Sequence, residues 1–157
     1  MDSEITEVKF SEAININKNA FKNCTQLTKM KGTEFVNKIY DYAFTGCSKL
    51  ESVEFVNATY IGANAFKDCT KLTKASMPMA TVYNCAFENA PIQSLTIATS
   101  SSTKLKDLFG TNIKEVKALK YLVVNKTYVP KGYLEGIKLT IFNNLAKNPV
   151  YANGWNE

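Results

Sequence analysis

The chain has 157 residues, 45% of them apolar, and all 19 of its basic residues are lysines, which gives a net charge of +5. This length and composition fit one domain with a continuous core. Without arginine the chain lacks the guanidinium group that usually binds nucleic acids through paired hydrogen bonds. Without histidine it lacks the commonest general base and the commonest metal ligand. No segment approaches the ~20 apolar residues of a membrane span. We therefore expect neither a nucleic-acid partner nor membrane insertion.

One signature, Ala-Phe-x-x-Cys, recurs along the first half of the chain. It begins at Ala20, Ala43 and Ala65, and a fourth copy at Ala86 ends in Ala90 instead of cysteine. The phenylalanines of successive copies are 23, 22 and 21 residues apart. Repetition at this period is typical of a solenoid, in which each repeat forms one coil and stacks on the next.

Each repeat also carries an apolar triplet of the form Leu-x-x-Val-x-Phe. The last two positions of the triplet alternate with a polar residue, so they lie on one face of a short strand. In chain order the triplets are Ile5-Val8-Phe10, Leu27-Met30-Gly32, Leu50-Val53-Phe55, Leu72-Ala75-Met77 and Ile92-Leu95-Ile97.

The signature places Ala, Phe and Cys at positions i, i+1 and i+4, which are neighbours on one helical turn. It therefore predicts a short helix or 3-10 turn whose three named residues point inward. Another inward slot stands five residues before each phenylalanine, and Lys104 interrupts it. The apolar residues of that slot are Ile16, Ile39, Ile61, Val82 and Val129.

Stacked coils place like residues over like residues, so the phenylalanines should form a buried column through the core. The members of this predicted column are Phe21, Phe44, Phe66, Phe87 and Phe109.

The period weakens after Ala98, where a Ser/Thr-rich stretch indicates a loop. Two strand triplets compete beyond it, Ile113-Val116-Ala118 and Leu119-Leu122-Val124, and the sequence does not decide between them. We interpret residues 1–157 as a single domain, with regular repeats over 5–98, degenerate repeats over 99–142 and a C-terminal cap over 143–157.

The residues from Ile39 to Phe55 and from Ile61 to Met77 follow the pattern I-x-x-x-A-F-x-x-C-x-x-L-x-x-V-x-F (Met77 in the last slot), which resembles the BspA-like leucine-rich repeat family of surface proteins. The resemblance implies an α/β fold. It would be a leucine-rich repeat solenoid with a short parallel β-sheet on its concave side and short helical or 3-10 turns on its convex side. The resemblance also implies adhesion to host cells or matrix proteins, at the cell surface or after secretion.

The signature cysteines, Cys24, Cys47 and Cys69, occupy one slot in successive coils and should form a ladder of buried thiols. Parallel side chains disfavour a disulfide, and the spacing is not that of a metal site. Cys85 lies outside this ladder and should be the most accessible thiol. Unpaired cysteines and the lack of a visible signal peptide favour a cytoplasmic location as the alternative.

The acidic residues form no catalytic pair, and neither a phosphate-binding loop nor a nucleophile elbow occurs. We therefore expect a non-enzymatic protein that needs no cofactor. Two acceptor sites for N-glycosylation, at Asn57 and Asn125, stand in predicted loops.

Strand residues that point outward form the predicted concave face, which is the usual binding surface of this architecture. The candidate partner-binding residues are Lys9, Lys31, Ser52, Glu54, Val56, Lys74, Ser76, Pro78, Ser94 and Thr96. A rival location on the convex side holds Tyr40, Tyr42, Tyr60 and Tyr83.

The leading hypothesis is a protein-binding module whose ligand is an unidentified protein, acting as a cell-surface adhesin or a host- or matrix-interaction segment. A structural module that forms homo-oligomers through an uncapped terminal repeat is the first alternative. A binder of anionic surfaces through its lysines is the second, and it predicts retention on heparin that salt abolishes.

Overall fold

The computed structural model describes residues 3–98, 105–110, 118–119 and 121–124. These residues form ten short strands and two 3-10 helices, at Thr33–Phe35 and Leu105–Phe109. The strands are β1 Glu7–Lys9, β2 Ile14–Ile16, β3 Lys29–Lys31, β4 Val36–Ile39, β5 Ser52–Glu54, β6 Tyr60–Ile61, β7 Lys74–Ser76, β8 Thr81–Val82, β9 Ser94–Ile97 and β10 Tyr121–Val124.

The strands belong to successive coils, and all their pairings are parallel. Coils 1 to 4 hold two strands each, in the order β1 and β2, β3 and β4, β5 and β6, β7 and β8, while β9 belongs to coil 5 and β10 to coil 6. The second strands form one continuous ladder in the order β2-β4-β6-β8. The first strands form a ladder that is divided into β1-β3 and β5-β7-β9-β10.

The signature segments are consecutive turns and not helices. In coil 2 the N–H groups of Ala43, Thr45 and Cys47 donate to carbonyls three residues earlier, whereas those of Tyr42, Phe44 and Gly46 donate to carbonyls of coil 3. This alternation links neighbouring coils at the signature corner. The described residues contain no α-helix, so the α/β class is not confirmed, and the fold is a parallel-strand β-solenoid with 3-10 turns.

Two positions in each signature corner have left-handed backbone. The residue before the signature alanine has φ near +60° in four coils, and so does the residue before the cysteine slot, where Gly46 reaches +79°. Gly, Asn and Asp tolerate this conformation best. The residues at the second position are Asn23, Gly46, Asp68 and Asn89.

The predicted phenylalanine column is confirmed. Ring centroids are 5.2 Å apart from Phe21 to Phe44, 5.3 Å from Phe44 to Phe66, 5.8 Å from Phe66 to Phe87, and 6.0 Å from Phe87 to Phe109. The last four rings are buried, but Phe21 is partly exposed. The prediction that every signature alanine points inward is wrong for Ala20, which is exposed because no described coil covers that face of coil 1.

The slot formed by Ile16, Ile39, Ile61 and Val82 is buried as predicted, and its residues pair with one another in the second ladder. Lys104, Val129 and residues 143–157 lie outside the described residues.

The competition between the two late triplets is resolved in favour of Leu119-Leu122-Val124. Strand β10 pairs with β9 so that Leu122 lies beside Leu95 and Val124 beside Ile97, and Leu119 is buried. Ala118, the last residue of the competing triplet, precedes β10 and belongs to no strand, while Ile113 and Val116 lie outside the described residues. The coil between β9 and β10 is longer than the others, and this length hid the register in the sequence.

Candidate functional site: the split strand ladder

The outward side chains of the first strands form one surface, which we call the ladder face. Residues on either side of each inward position point out as predicted, while Val53, Ala75 and Leu95 between them are buried. The structure brings the predicted residues together on this surface in order along the stack. They are Lys9 on β1, Lys31 on β3, Ser52 and Glu54 on β5, Lys74 and Ser76 on β7, and Ser94 and Thr96 on β9, with Val56 and Pro78 just beyond β5 and β7.

The ladder face is split between β3 and β5. No pairing joins these two strands, and most Cα–Cα distances between them exceed 8 Å. Neighbouring strands of a sheet lie about 4.8 Å apart. The same two coils remain in contact elsewhere, because Lys38 and Ile39 of β4 pair with Tyr60 and Ile61 of β6.

The split coincides with an extra residue in coil 2. Met30 and Val53 are 23 residues apart, whereas 22 residues separate Val8 from Met30 and Val53 from Ala75. The extra residue is taken up after β3 by the first 3-10 helix and by a bulge in the pairing of β2 with β4.

Gly32 fixes the end of β3 against coil 1. Its φ is +72°, and a Cβ there would collide with the Phe10 carbonyl oxygen. The Phe10 N–H in turn donates to the Lys31 carbonyl at 2.9 Å. Phe55 and Met77 likewise donate to the coil that follows them, but Gly32, which holds the same slot in coil 2, makes no such bond to the described residues of coil 3. Coil 2 therefore leans toward coil 1 and away from coil 3 at this corner.

The split opens a cleft of about 370 Å³. It is lined by Thr28, Lys29, Met30, Lys31, Thr33, Ser52, Val53 and Glu54. A smaller cleft of about 150 Å³ continues across β5 toward Lys74 and Ser76. Met30 occupies the inward column yet is only partly buried, whereas Val53 in the next coil is buried. The apolar core is thus accessible from the ladder face at this one boundary between described coils 2 and 3.

Three large apolar side chains protrude from the corner that follows the first strands, and we call them the apolar edge. Phe35, Val56 and Met79 are 39%, 37% and 53% exposed, and they belong to coils 2, 3 and 4. The Asn57 side chain donates to the Glu34 carbonyl at 2.9 Å, which shows that these corners stack directly.

The sequence indicated this edge only in part. Val56 and Pro78 were expected on the outward face, and Val56 is exposed. Phe35 and Met79 were missed. Each directly precedes a buried residue, Val36 and Ala80, and that alternation was the available signal.

The tyrosine site on the other side is only partly formed. Tyr40, Tyr60 and Tyr83 stack with centroids 5.7 and 4.9 Å apart and are partly buried. Burial, and then the charge of Asp41, raises the pKa of Tyr60. Tyr42 is not part of this stack, because its ring lies under the amino groups of Lys18 and Lys22, at 5.8 and 5.7 Å.

The geometry of the cysteine ladder indicates a structural role. Cys24, Cys47 and Cys69 are buried, Cys85 is more accessible as expected, and none of the four is in a disulfide. The Cys47 thiol donates to the Phe21 carbonyl, and the Cys69 thiol to the Phe44 carbonyl, both at 3.2 Å. Burial raises the pKa of Cys47 to about 12 and raises that of Cys69 as well.

Within the described part of the chain, no three acidic or cysteine side chains are grouped so that they could hold a metal ion. Over the same residues, no helix has the length and hydropathy needed to cross a membrane. The surface features of the described coils are therefore the ladder face, its cleft, the apolar edge and the tyrosine stack.

Comparison with known proteins agrees with the repeat and the fold. The family described as BspA type leucine rich repeat region matches residues 1–117 in six copies. A crystal structure of a leucine-rich repeat protein from T. pallidum superposes with a TM-score of 0.64 at 22% identity, covering 90% of this chain and 69% of that one. No curated protein matches the sequence. With six consecutive copies over three quarters of its length, the chain belongs to the BspA-type leucine-rich repeat family.

Proposed function

We propose that this chain is a non-enzymatic protein-binding module that engages a protein ligand through its ladder face and apolar edge. The observation that carries the proposal is the exposure of Phe35, Val56 and Met79 beside a cleft in the same surface. Exposed apolar groups rimmed by polar ones are typical of protein interfaces. The polar residues of the ladder face supply that rim, and they include positively charged lysines and negatively charged glutamates.

We further propose that the ligand is a host-cell or extracellular-matrix protein and that the module acts as an adhesin at the cell surface. Membership of the BspA-type family supports this role, since its repeats are typical of surface proteins. The buried, hydrogen-bonded thiols are compatible with this location, because buried cysteines are unreactive and persist unpaired outside a reducing compartment.

The test is the binding of labelled protein to wells coated with purified extracellular-matrix proteins. The variant Phe35→Ser/Val56→Ser/Met79→Ser should bind about tenfold more weakly than the wild type, since it loses the apolar contact area. The matched control, Ile5→Ser/Ile14→Ser, removes exposed apolar side chains of coil 1 and should bind normally. Equal binding by the wild type and the triple variant would contradict the proposed surface.

A second candidate, self-assembly through a terminal repeat, is supported by the open side of coil 1. In the described structure β1 and β2 each pair on one side only, and Ile5 and Ile14 are 43% and 42% exposed. Such edges are templates for pairing with another chain. Sedimentation velocity over a wide concentration range tests this, and a strict monomer throughout would exclude it.

A further inference from the structure

We propose that the split between β3 and β5 takes up one extended strand of the protein ligand, parallel to its neighbours. The inserted strand carries an acidic residue beside Lys29, an apolar residue over Met30 and a basic residue beside Glu54. This inference rests on the proposed protein-binding function and specifies how the ladder face recognises its ligand.

Both sides of the split present an unsatisfied strand edge. Successive residues of a strand in a parallel ladder direct their N–H and C=O groups to alternate sides. The Phe10 N–H donates to Lys31, which places the Lys29 and Lys31 peptide groups toward β1 and that of Met30 toward the split. The Phe55 N–H donates to Ser76 of coil 4, so the Ser52 and Glu54 peptide groups point toward the split. Unpaired edges of this kind bind extended peptides by strand addition.

β3 and β5 lie farther apart than two directly paired strands, as the addition of a strand requires. An inserted strand that pairs on both sides needs its neighbours about 9.6 Å apart, twice the spacing of a sheet. Most Cα–Cα distances between β3 and β5 exceed 8 Å, while 4.8 Å would be expected if they paired directly. Coils 2 and 3 are held together at the other corners, where the Phe44 and Gly62 N–H groups each make an inter-coil bond of 2.8 Å. The opening is therefore local, and the solenoid does not have to come apart to fill it.

The side chains at the split define the chemistry of the insert. The middle residue of a three-residue insert would point inward and cover Met30, the partly exposed member of the core column. The flanking residues would point outward between β3 and β5. Lys29 makes no ion pair within the described residues, so an acidic residue beside it gains a charged partner. The Lys31 amino group already lies 3.2 Å from the Glu7 carboxylate and is therefore paired. Glu54 is then the charged group that selects a basic residue at the last position of the insert.

Hydrogen exchange followed by NMR tests whether the split is open and whether a strand closes it. The Glu54 and Ser76 amides hold equivalent positions in coils 3 and 4, but only Ser76 has a paired strand, β5, on that side. In the protein without peptide, the Glu54 amide should exchange rapidly and the Ser76 amide slowly. Addition of the blocked peptide Thr-Thr-Glu-Val-Lys-Thr-Thr should protect the Glu54 amide. Protection of Glu54 without peptide would overturn the proposal.

Fluorescence anisotropy with a labelled form of this peptide tests the bonding and the charges. N-methylation of the three central residues removes their hydrogen-bond donors and should weaken binding at least about tenfold. Lys29→Glu should weaken binding of the parent peptide and strengthen binding of the peptide with lysine in place of glutamate. The matched control Lys38→Glu changes an exposed lysine on β4 of the same coil and should leave both affinities unchanged.

The outcomes separate this inference from the proposed function. Equal affinity for the parent and N-methylated peptides, or no binding at millimolar peptide, overturns strand insertion. If the apolar-edge variant still loses matrix-protein binding in that case, the ladder face binds by side chains alone. If the peptide inserts but the apolar-edge variant binds like the wild type, the apolar edge fails as the binding surface and the insertion stands.

Discussion

The signature cysteine links one coil to the coil before it. The carbonyls of Phe21, Phe44 and Phe66 each accept the N–H of the cysteine in their own signature, and those of Phe21 and Phe44 also accept the thiol of the next coil. A thiol is small and weakly polar, so it satisfies the second lone pair of a buried carbonyl without the desolvation cost of a hydroxyl. In coil 4 Ala90 fills the slot, so the Phe66 carbonyl accepts the Cys69 N–H but no thiol from the next coil.

The thiol ladder predicts a loss of stability at alkaline pH. The pKa of Cys47 is raised from 9.0 to about 12, and that of Cys69 is raised in the same direction. The folded protein therefore keeps these protons above pH 9 while the unfolded chain releases them. Stability is unaffected below pH 9 and then falls by up to about 1.4 kcal/mol per pH unit for each thiol until the folded pKa is reached.

Urea unfolding at intervals from pH 8 to pH 11 checks this, with Cys47→Ala/Cys69→Ala as the reference. All other ionisable groups are common to the two proteins, so the difference between the two slopes isolates the thiols. The wild type should lose stability more steeply above pH 9. Parallel curves for the two proteins would show that the buried thiols do not carry the effect.

The two variable positions of the signature show that the sequence alone did not predict the backbone conformation of single residues. The spacing of Ala, Phe and Cys correctly predicted which side chains are buried in coils 2 and 3. It did not show that Gly46 and Asp68 stand before the cysteines because the backbone there has φ of +79° and +60°. Helical spacing and a run of turns bury the same positions, and the choice between them depends on hydrogen bonds to the next coil.

The phenylalanine column behaves as one element, and its interior and end should respond differently to truncation. Phe66 is buried and stacks on Phe44 at 5.3 Å and on Phe87 at 5.8 Å. Phe21 is partly exposed and stacks on one side only, against Phe44. Phe66→Ala should cost about 3–5 kcal/mol, as expected for a cavity in a core, whereas Phe21→Ala should cost about 1–2 kcal/mol.

Denaturant unfolding of the two variants measures this difference, and circular dichroism before unfolding shows whether each variant still folds. A loss of about 3–5 kcal/mol is a large part of the total for a domain of this kind. If Phe66→Ala does not fold, Phe66→Leu serves as the milder replacement and should still cost more than Phe21→Leu. Equal costs at the two positions would mean that stacking does not set the stability of the column.

The strands, too, could be predicted from the sequence only in part. Period-two triplets located β1, β3, β5, β7 and β9, because their inward residues repeat in every coil. The second ladder was seen only as an inward slot, since β6 and β8 contain two residues each and show no alternation. The split was not visible at all. It coincides with one additional residue in coil 2, and a sequence does not show whether a bulge, a 3-10 turn or a displaced strand absorbs such an insertion.

The whole molecule is a linear stack in which each described coil contacts only its neighbours, so stability should vary along it. Among the described coils, coil 1 has a neighbour on one side only. Its Ala20 is exposed and its Phe21 partly exposed, whereas Ala43 and Phe44 of coil 2 are buried. Elements with few buried contacts open locally at a lower free energy than the protein as a whole. The stack should therefore open from coil 1.

Native-state hydrogen exchange of two matched amides tests this gradient. The Phe21 N–H donates to Ala43 at 2.7 Å, and the Phe44 N–H donates to Ala65 at 2.8 Å, so the bonds are equivalent and only the packing around them differs. The Phe21 amide should exchange about 10–100-fold faster, because coil 1 detaches without the rest of the stack. Low urea should accelerate the Phe44 amide much more than the Phe21 amide, since global unfolding exposes more surface than local opening. Equal rates and equal urea dependence would instead mean that the coils unfold together, and the stack would then be one cooperative unit despite its linear contacts.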